Sequence, residues 1–294
     1  MKVIRIATRQ SALALKQTEI VSGALQALFP QLKIEIIGLT TEGDRRLETS
    51  LAKIGGKGLF VKELEQALLN NEADIAVHSM KDVPFEISDS FCIAAILKRE
   101  DPRDVLISNR YNYLTELPNK AVIGTSSFRR IKQLKAKKPD LQFVELRGNV
   151  PTRIKKLEDN NLDAIVLAAA GLNRLALQNR IKSYLPLEDF IPAAGQGAIG
   201  IECCKTNKAI IQLVSQLTDR LTQFCVQTER MVAKTLNASC HTPLGVYAEI
   251  FNENLVIKGF SAKIENDEYV TASVQGSKEQ AELLAKQLAE KLRF

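Results

Sequence analysis

Twice along this chain a short apolar run stops at a cluster of polar residues, gives way to a helical pattern, and repeats the cycle before the next break. Residues 3–8 read as a buried strand. Ser11 can cap a helix running to about residue 29, with Leu13, Ile20, Val21, Ala24, Leu25 and Leu28 at the 3.6-residue period. Pro30 marks its exit, and the isoleucine-rich run 32–39 is a second strand. Beyond a glycine-rich break comes a helix with Phe60, Leu64, Ala67 and Leu68 on one face, then a strand over 73–79. The segment 98–104 is charged, contains Pro102 and reads as a hinge. After it the scheme recurs, with strands at 121–125, 141–147 and 164–168 and helices at 126–138 and 150–159. Such alternation predicts parallel sheets with helices on both faces.

Residues 191–201 return the chain, on this reading to the first domain. The remainder differs: a helix over 219–236, strand-like runs at 246–252, 255–264 and 269–275, and a closing helix at about 277–292. This predicts a small α+β domain. The division expected is 1–97 with 198–215, then 103–192, then 219–294.

Composition narrows the partners. The net charge is +6, which favours an anionic ligand. Aromatic residues are only 5% and Trp is absent, so stacking platforms for single-stranded nucleic acid are not expected. No apolar run approaches the ~20 residues of a membrane span, and Arg5 and Arg9 interrupt the N-terminal one, so neither a membrane segment nor a secretory signal is expected. Five cysteines without a C-x-x-C, and two histidines, offer a poor zinc set. Free thiols in a reducing cytoplasm are expected, and no metal.

In open α/β sheets ligands bind beyond the carboxyl ends of the strands. Arg9, Arg129, Arg130, Arg147 and Arg153 lie at or just past expected strand ends. An arginine fork suits bidentate carboxylate or phosphate contacts. Ser11 and the run Thr125, Ser126, Ser127 add hydroxyls and helix N-terminal amides. Residues 40–58 read as a mobile loop carrying Lys53 and Lys57, and its Gly55-Gly56-Lys57-Gly58 lacks the hydroxyl residue of a phosphate loop. Asp82, after Lys81 at a strand end, is either a turn residue or a carboxylate held among cations. Cys240 sits in a loop signature, Asn-Ala-Ser-Cys-His-Thr-Pro, and is the thiol that stands out as a nucleophile. The other cysteines read as inert. Three functions remain open on this footing: an enzyme acting on a polycarboxylate, a non-catalytic anion-binding module, and a nucleic-acid binder.

Longer blocks carry a resemblance. They are Ile-Ala-Thr-Arg-Gln-Ser at 6–11, Gly-Gly-Lys-Gly-Leu-Phe-Val-Lys-Glu-Leu-Glu at 55–65, Ala-Asp-Ile-Ala-Val-His-Ser-Met-Lys-Asp-Val-Pro at 73–84 and Arg-Glu-Asp-Pro-Arg-Asp at 99–104. Gly-Thr-Ser-Ser-Phe-Arg-Arg at 124–130, Leu-Arg-Gly-Asn-Val-Pro-Thr-Arg at 146–153 and Gly-Gln-Gly-Ala-Ile-Gly-Ile-Glu at 195–202 continue them. Together they resemble the porphobilinogen deaminase, or hydroxymethylbilane synthase, family.

The resemblance implies three α/β and α+β domains, the first two resembling periplasmic binding proteins, in a monomer. It implies condensation of four porphobilinogen molecules head to tail, releasing ammonia each time, to make hydroxymethylbilane. The growing chain stands on a dipyrromethane cofactor held by a thioether, which the Cys-x-x-Pro match puts at Cys240. Asp82 matches the catalytic aspartate, with neighbouring arginines keeping it ionised. Arg9, Ser11, Lys81, Thr125, Ser127, Arg129, Arg130, Arg147, Gly148, Arg153 and Gln196 would line the cofactor and substrate sites, with Lys53, Lys57 and Phe60 closing over them. Each pyrrole brings an acetate and a propionate, which would account for so many cations. The family often has Gly-Gly before the cofactor cysteine, where this chain has Ala238-Ser239.

Overall fold

The computed structural model describes residues 3–45, 58, 60–239 and 242–294. Lys53, Lys57, Cys240, His241 and most of the expected mobile loop lie outside the described residues. The beginning of that loop, Glu42–Arg45, is a short helix. The chain divides into two compact units, residues 1–100 with 198–224, and residues 101–197 with 225–294.

The first unit is built on a five-stranded sheet. Its strands are β1 (Val3–Arg9), β2 (Lys33–Leu39), β3 (Ile75–Ser79), β4 (Phe91–Ile96) and the late β10 (Ile199–Cys204). The order is β2-β1-β3-β10-β4. The pairs β1–β2 and β1–β3 are parallel, but β10 is antiparallel to both β3 and β4. A wholly parallel sheet is therefore corrected to a mixed one. The reason is covalent: the returning strand enters the sheet from the opposite end.

Residues alternate across these strands. Ile4 and Ile6, with Ile75 and Val77, face one core, while Ala7 and Ala76 face another. Helix Ala12–Leu28 covers the first face, with Ser11 accepting a capping bond from the Ala14 amide at 3.3 Å. Its buried side is Ala14, Gln17, Thr18, Val21 and Leu25, spaced by three and four residues. Ile20 and Leu28, expected on that side, are exposed. Two polar residues take the space because each finds a partner: Thr18 donates to the Ala14 carbonyl (3.0 Å) and Gln17 Nε2 to Ser79 Oγ (2.7 Å).

The second unit holds two sheets. One is five-stranded, formed by β5 (Asp104–Ile107), β6 (Val122–Gly124), β7 (Gln142–Val144), β8 (Ala164–Ala168) and β9 (Ser183–Tyr184), in the order β7-β6-β8-β5-β9. It too is mixed, since β5 runs antiparallel to β8 and β9. Both faces are packed: Ile165 and Leu167 belong to one core, Ala164 and Val166 to the other. The other sheet is an antiparallel meander of β11 (Leu244–Phe251), β12 (Asn254–Ala262) and β13 (Tyr269–Gly276), backed by helix Ala281–Lys291. No helix among the described residues is long and apolar enough to cross a membrane.

Candidate active site

In the first unit Asp82 ends a single 3-10 turn, Met80–Asp82, which follows β3 directly. The turn is held at several points. Met80 is buried and its amide donates to the Ala198 carbonyl (3.0 Å), while the Val83 amide returns to the Met80 carbonyl (3.3 Å). One residue earlier, Ser79 takes the Gln17 bond. His78, facing the other way, meets Glu202 of β10 at 3.0 Å, both side chains buried. Burial and then the Glu202 charge push the nearby Glu65 carboxyl up. The half-buried side chains of Lys81 and Asp82 are thus carried by a backbone with little freedom to shift.

Arg9 closes β1. Its guanidinium forms a two-pronged pair with Asp44, whose carboxylate also accepts from the Thr41 hydroxyl at 2.7 Å. Burial tends to raise the Asp44 carboxyl, but the Arg9 and Thr41 bonds outweigh it and hold it below the usual carboxylate range. The Phe60 ring lies 4.3 Å from the Arg9 guanidinium carbon. Phe60 was expected on a helix face; instead it precedes helix Lys62–Leu69, whose first turn is closed by Val61 and Lys62 amides on the Gly58 carbonyl. Gly43 makes room for the ring, since a Cβ there would stand 2.2 Å from Phe60 Cε1.

In the second unit two turns meet. Ser126 Oγ donates to the Leu146 carbonyl (2.8 Å) and accepts from the Leu146 amide (3.1 Å), tying the turn after β6 to the turn after β7. Each turn opens a helix. Ser127 caps Phe128–Lys137, and Asn149 caps Val150–Asp159. The Thr125 hydroxyl accepts from the Ser127 amide at 3.2 Å. Arg147 pairs with Glu145 (2.6 Å), Lys156 Nζ reaches the Arg147 carbonyl (3.3 Å), and Arg153 Nε donates to the Gly148 carbonyl (2.7 Å).

Arg129 and Arg130, which the resemblance assigns to the cofactor and substrate sites, are buried. Their side chains are only 5% and 8% exposed, and both converge on Asp104, at 2.8 Å each. Arg129 also donates to the Ile191 carbonyl (2.8 Å) and Arg130 to the Val166 carbonyl (3.0 Å). Gln196, also buried, gives its amide hydrogens to the Pro102 carbonyl (2.6 Å) and to Asp104 (3.0 Å). Burial would raise the Asp104 carboxyl, yet the two guanidinium charges hold it well below the ordinary range. Burial lowers the Arg129 guanidinium, with Asp104 opposing. Two arginines and one carboxylate leave one net positive charge in a low-dielectric setting, where it acts more strongly than on the surface.

Asp44, Asp104, Glu145 and Lys156 are the members that sequence reasoning left without a role. Asp104 closes the Arg-Glu-Asp-Pro-Arg-Asp block, so a signal for it existed, read only as hinge polarity. On the helix that follows, Lys135 and Lys137 pair with Asp267 and Asp189.

On either side of residues 240–241, Ser239 and Thr242 are cross-bonded: the Ser239 amide donates to Thr242 Oγ1 (2.9 Å) and the Thr242 amide to the Ser239 carbonyl (3.1 Å).

Two family models match the chain. Residues 4–212 match the porphobilinogen deaminase dipyromethane cofactor binding domain, and residues 223–293 the porphobilinogen deaminase C-terminal domain. The chain belongs to the porphobilinogen deaminase family. Its members are hydroxymethylbilane synthases, which are transferases. The porphobilinogen deaminase of Thiobacillus denitrificans is 50% identical over 292 residues, covering 99% of this chain and 95% of that one. Those of Chromobacterium violaceum and Nitrosomonas europaea are each 49% identical over the same length, covering 94% and 95% of their own chains. Among solved structures the methionine-binding protein MetQ aligns with a TM-score of 0.48 at 12% identity, over 74% of this chain and 89% of that one.

Does the donor set suit the cofactor that the family domain binds? A dipyrromethane offers carboxylates and pyrrole N–H groups. Taken by themselves, the joined turns of the second unit offer arginine forks and two capped helix starts, which suit carboxylates; in the first unit, Asp82 is an acceptor of the kind that suits N–H groups. The residues fit the group.

Proposed function

We propose that this chain catalyses stepwise, head-to-tail condensation of four porphobilinogen molecules to hydroxymethylbilane, primed by a dipyrromethane joined through a thioether to Cys240. The observation that carries the reading is the near-complete match to full-length porphobilinogen deaminases, in which the two family models between them span both units. The chain is proposed to work as a cytoplasmic monomer, with domains over 1–97 plus 198–215, 103–192 and 219–294.

When bound, the primer would supply the free pyrrole carbon on which the first unit of the chain is added. The protein's own residues do the rest. Arg147, Arg153 and Lys156, with the amides beginning the helices at Ser127 and Asn149, bind pyrrole carboxylates and fix ring orientation. Arg129 and Arg130 are proposed to add their shared positive charge, with Gln196 positioning the Asp104 carboxylate that orients them. Arg9, Ser11, Lys53, Lys57 and Phe60 are assigned to the incoming substrate, Lys81 to its carboxylates. Loss of ammonia from porphobilinogen leaves positive charge on the substrate. Asp82 accepts hydrogen bonds from pyrrole N–H and stabilises that charge as it develops. The short turn on the β3–β10 pair keeps its carboxylate from relaxing away, so no reorganisation is required when the charge appears.

The test is the intact mass of protein made where porphobilinogen is available. It is expected to exceed the sequence mass by one dipyrromethane, and Cys240→Ala to lose the increment. An unmodified parent protein would sink the proposal. Asp82→Asn should keep the increment but turn over at least about a hundredfold more slowly, the scale on which removing such a charge-stabilising group acts. Near-normal bilane production would remove Asp82 from the mechanism.

A further inference from the structure

We propose that Cys92 and Cys203 form a peroxide-oxidisable dithiol, a covalent modification site separate from the residues assigned to condensation. The two are direct partners in the antiparallel ladder between β4 and β10. Directly opposed residues of such a ladder project to the same face, with Cα atoms ~4.5–5.5 Å apart. That lies inside the ~4.4–6.8 Å a disulfide can span. The sulfur atoms are already 3.9 Å apart. Both thiols touch the same apolar cluster, Cys203 within it and Cys92 at its margin. Just before the pair, between Ile201 and Glu202, the ladder slips register, an irregularity that leaves the backbone some latitude to close the remaining distance.

The two cysteines are not equivalent. β4 is an edge strand, and Cys92 on it is partly exposed, whereas Cys203 is fully buried. Cys204, next in sequence, has its own partner: its thiol donates to the Leu68 carbonyl at 3.6 Å, on the sheet's other face. Burial, then the neighbouring Cys92, push the Cys203 thiol up to about 12. Cys203 therefore does not begin the reaction. Cys92 Sγ attacks one oxygen of hydrogen peroxide; an S–O bond forms, the O–O bond breaks and water leaves, giving a sulfenic acid at Cys92. Cys203 Sγ then attacks Cys92 Sγ; the S–S bond forms, the S–O bond breaks, and the thiol proton departs with the hydroxyl as a second water. Two thiols lose two electrons and one peroxide is reduced to two waters. The high proton affinity of Cys203 slows the second step, and its proximity compensates.

The test uses the purified full-length chain treated with hydrogen peroxide, then alkylated and mapped by tandem mass spectrometry. Expected is the loss of two alkylatable thiols, restored by reductant, with a peptide linking Cys92 to Cys203. Cys204→Ser should cross-link like the parent. Cys203→Ser should stop at a sulfenic acid trapped by dimedone on Cys92. Cys92→Ser, a change on a partly exposed edge strand, should abolish the link without disturbing the fold. A link through Cys204, over-oxidation of Cys92 without any link, or unchanged reactivity of both thiols would each overturn the proposal. None of these outcomes depends on whether Cys240 carries a cofactor.

Discussion

Asp44 sets both of its carboxylate oxygens against the guanidinium of Arg9, one at 3.0 Å from Nε and the other on Nη2. A residue proposed to receive a substrate carboxylate is therefore already engaged by one from its own chain. An incoming anion must share Arg9 with Asp44 or displace it.

Asp44→Asn tests this competition. The substitution keeps the Thr41 contact but removes the rival charge. Affinity for porphobilinogen is expected to rise by up to about tenfold, or ~1.4 kcal/mol. Because the Asp44 carboxyl lies below the usual range, it is charged throughout the neutral region, and the gain should be present there at every pH. Calorimetric titration at fixed ionic strength would read it; weaker binding would mean that Arg9 needs Asp44 while substrate is bound.

Asp104 carries a stability prediction. Replacing it with Asn leaves two buried guanidiniums without a counter-ion, which costs about 3–5 kcal/mol. Its carboxyl is depressed in the folded state, so its contribution is complete above the unfolded value of about 3.9 and fades as pH falls below it. Denaturant unfolding should show a constant gap between parent and variant through neutral pH, narrowing only in acid. A gap that closed near neutrality would contradict the assignment.

Gly245 and Gly43 make a matched pair. A Cβ at Gly245 would stand 2.5 Å from the Ile191 carbonyl oxygen, and one at Gly43 2.2 Å from the Phe60 ring edge. A ring can swing aside, whereas a carbonyl that also accepts from Arg129 and Gln133 cannot. Gly245→Ala is expected to destabilise by about 1–3 kcal/mol or more, and Gly43→Ala by less. Gly43→Ala should instead weaken substrate binding, as the ring leaves Arg9. Thermal melts and KM values separate the two effects.

Glu229 tests the support of the Gln196 loop. Its two carboxylate oxygens accept from the Gly195 amide (2.7 Å) and the Ala248 amide (2.9 Å) in a fully buried setting. Glu229→Gln keeps one acceptor and turns the other into a donor facing a donor. A loss of roughly 1–3 kcal/mol is expected, with slower turnover at little change in KM. Unaltered turnover in the folded variant would show that the loop does not depend on this carboxylate.

Much of this was legible beforehand. Residues 150–159 and 164–168 fall where expected, because the Asn149 cap and the unbroken apolar run are local signals. The strand Phe91–Ile96 went unrecognised: a six-residue apolar run without alternation has no period to read. The mixed sheets were missed because strand direction depends on where a distant segment enters. At the site, residue types announced the cations, but nothing local says which carboxylate each arginine meets. Arg129 and Asp104 are 25 positions apart. Local sequence therefore does not show that two of the arginines share Asp104.

The placement of β10 between β3 and β4 has a consequence for synthesis. These two strands never pair with each other; each waits for a strand that begins at Ile199. When the ribosome has made the first 100 residues, the sheet lacks an inner member and presents two open edges, a state prone to wrong pairing. Nearly another hundred residues must emerge before Gly200 can meet His78 and Ile96. Contacts so far apart in sequence form slowly. A fragment ending at residue 100 is thus an unfinished sheet, and the first unit, though it begins the chain, cannot finish folding until its late strand has been made.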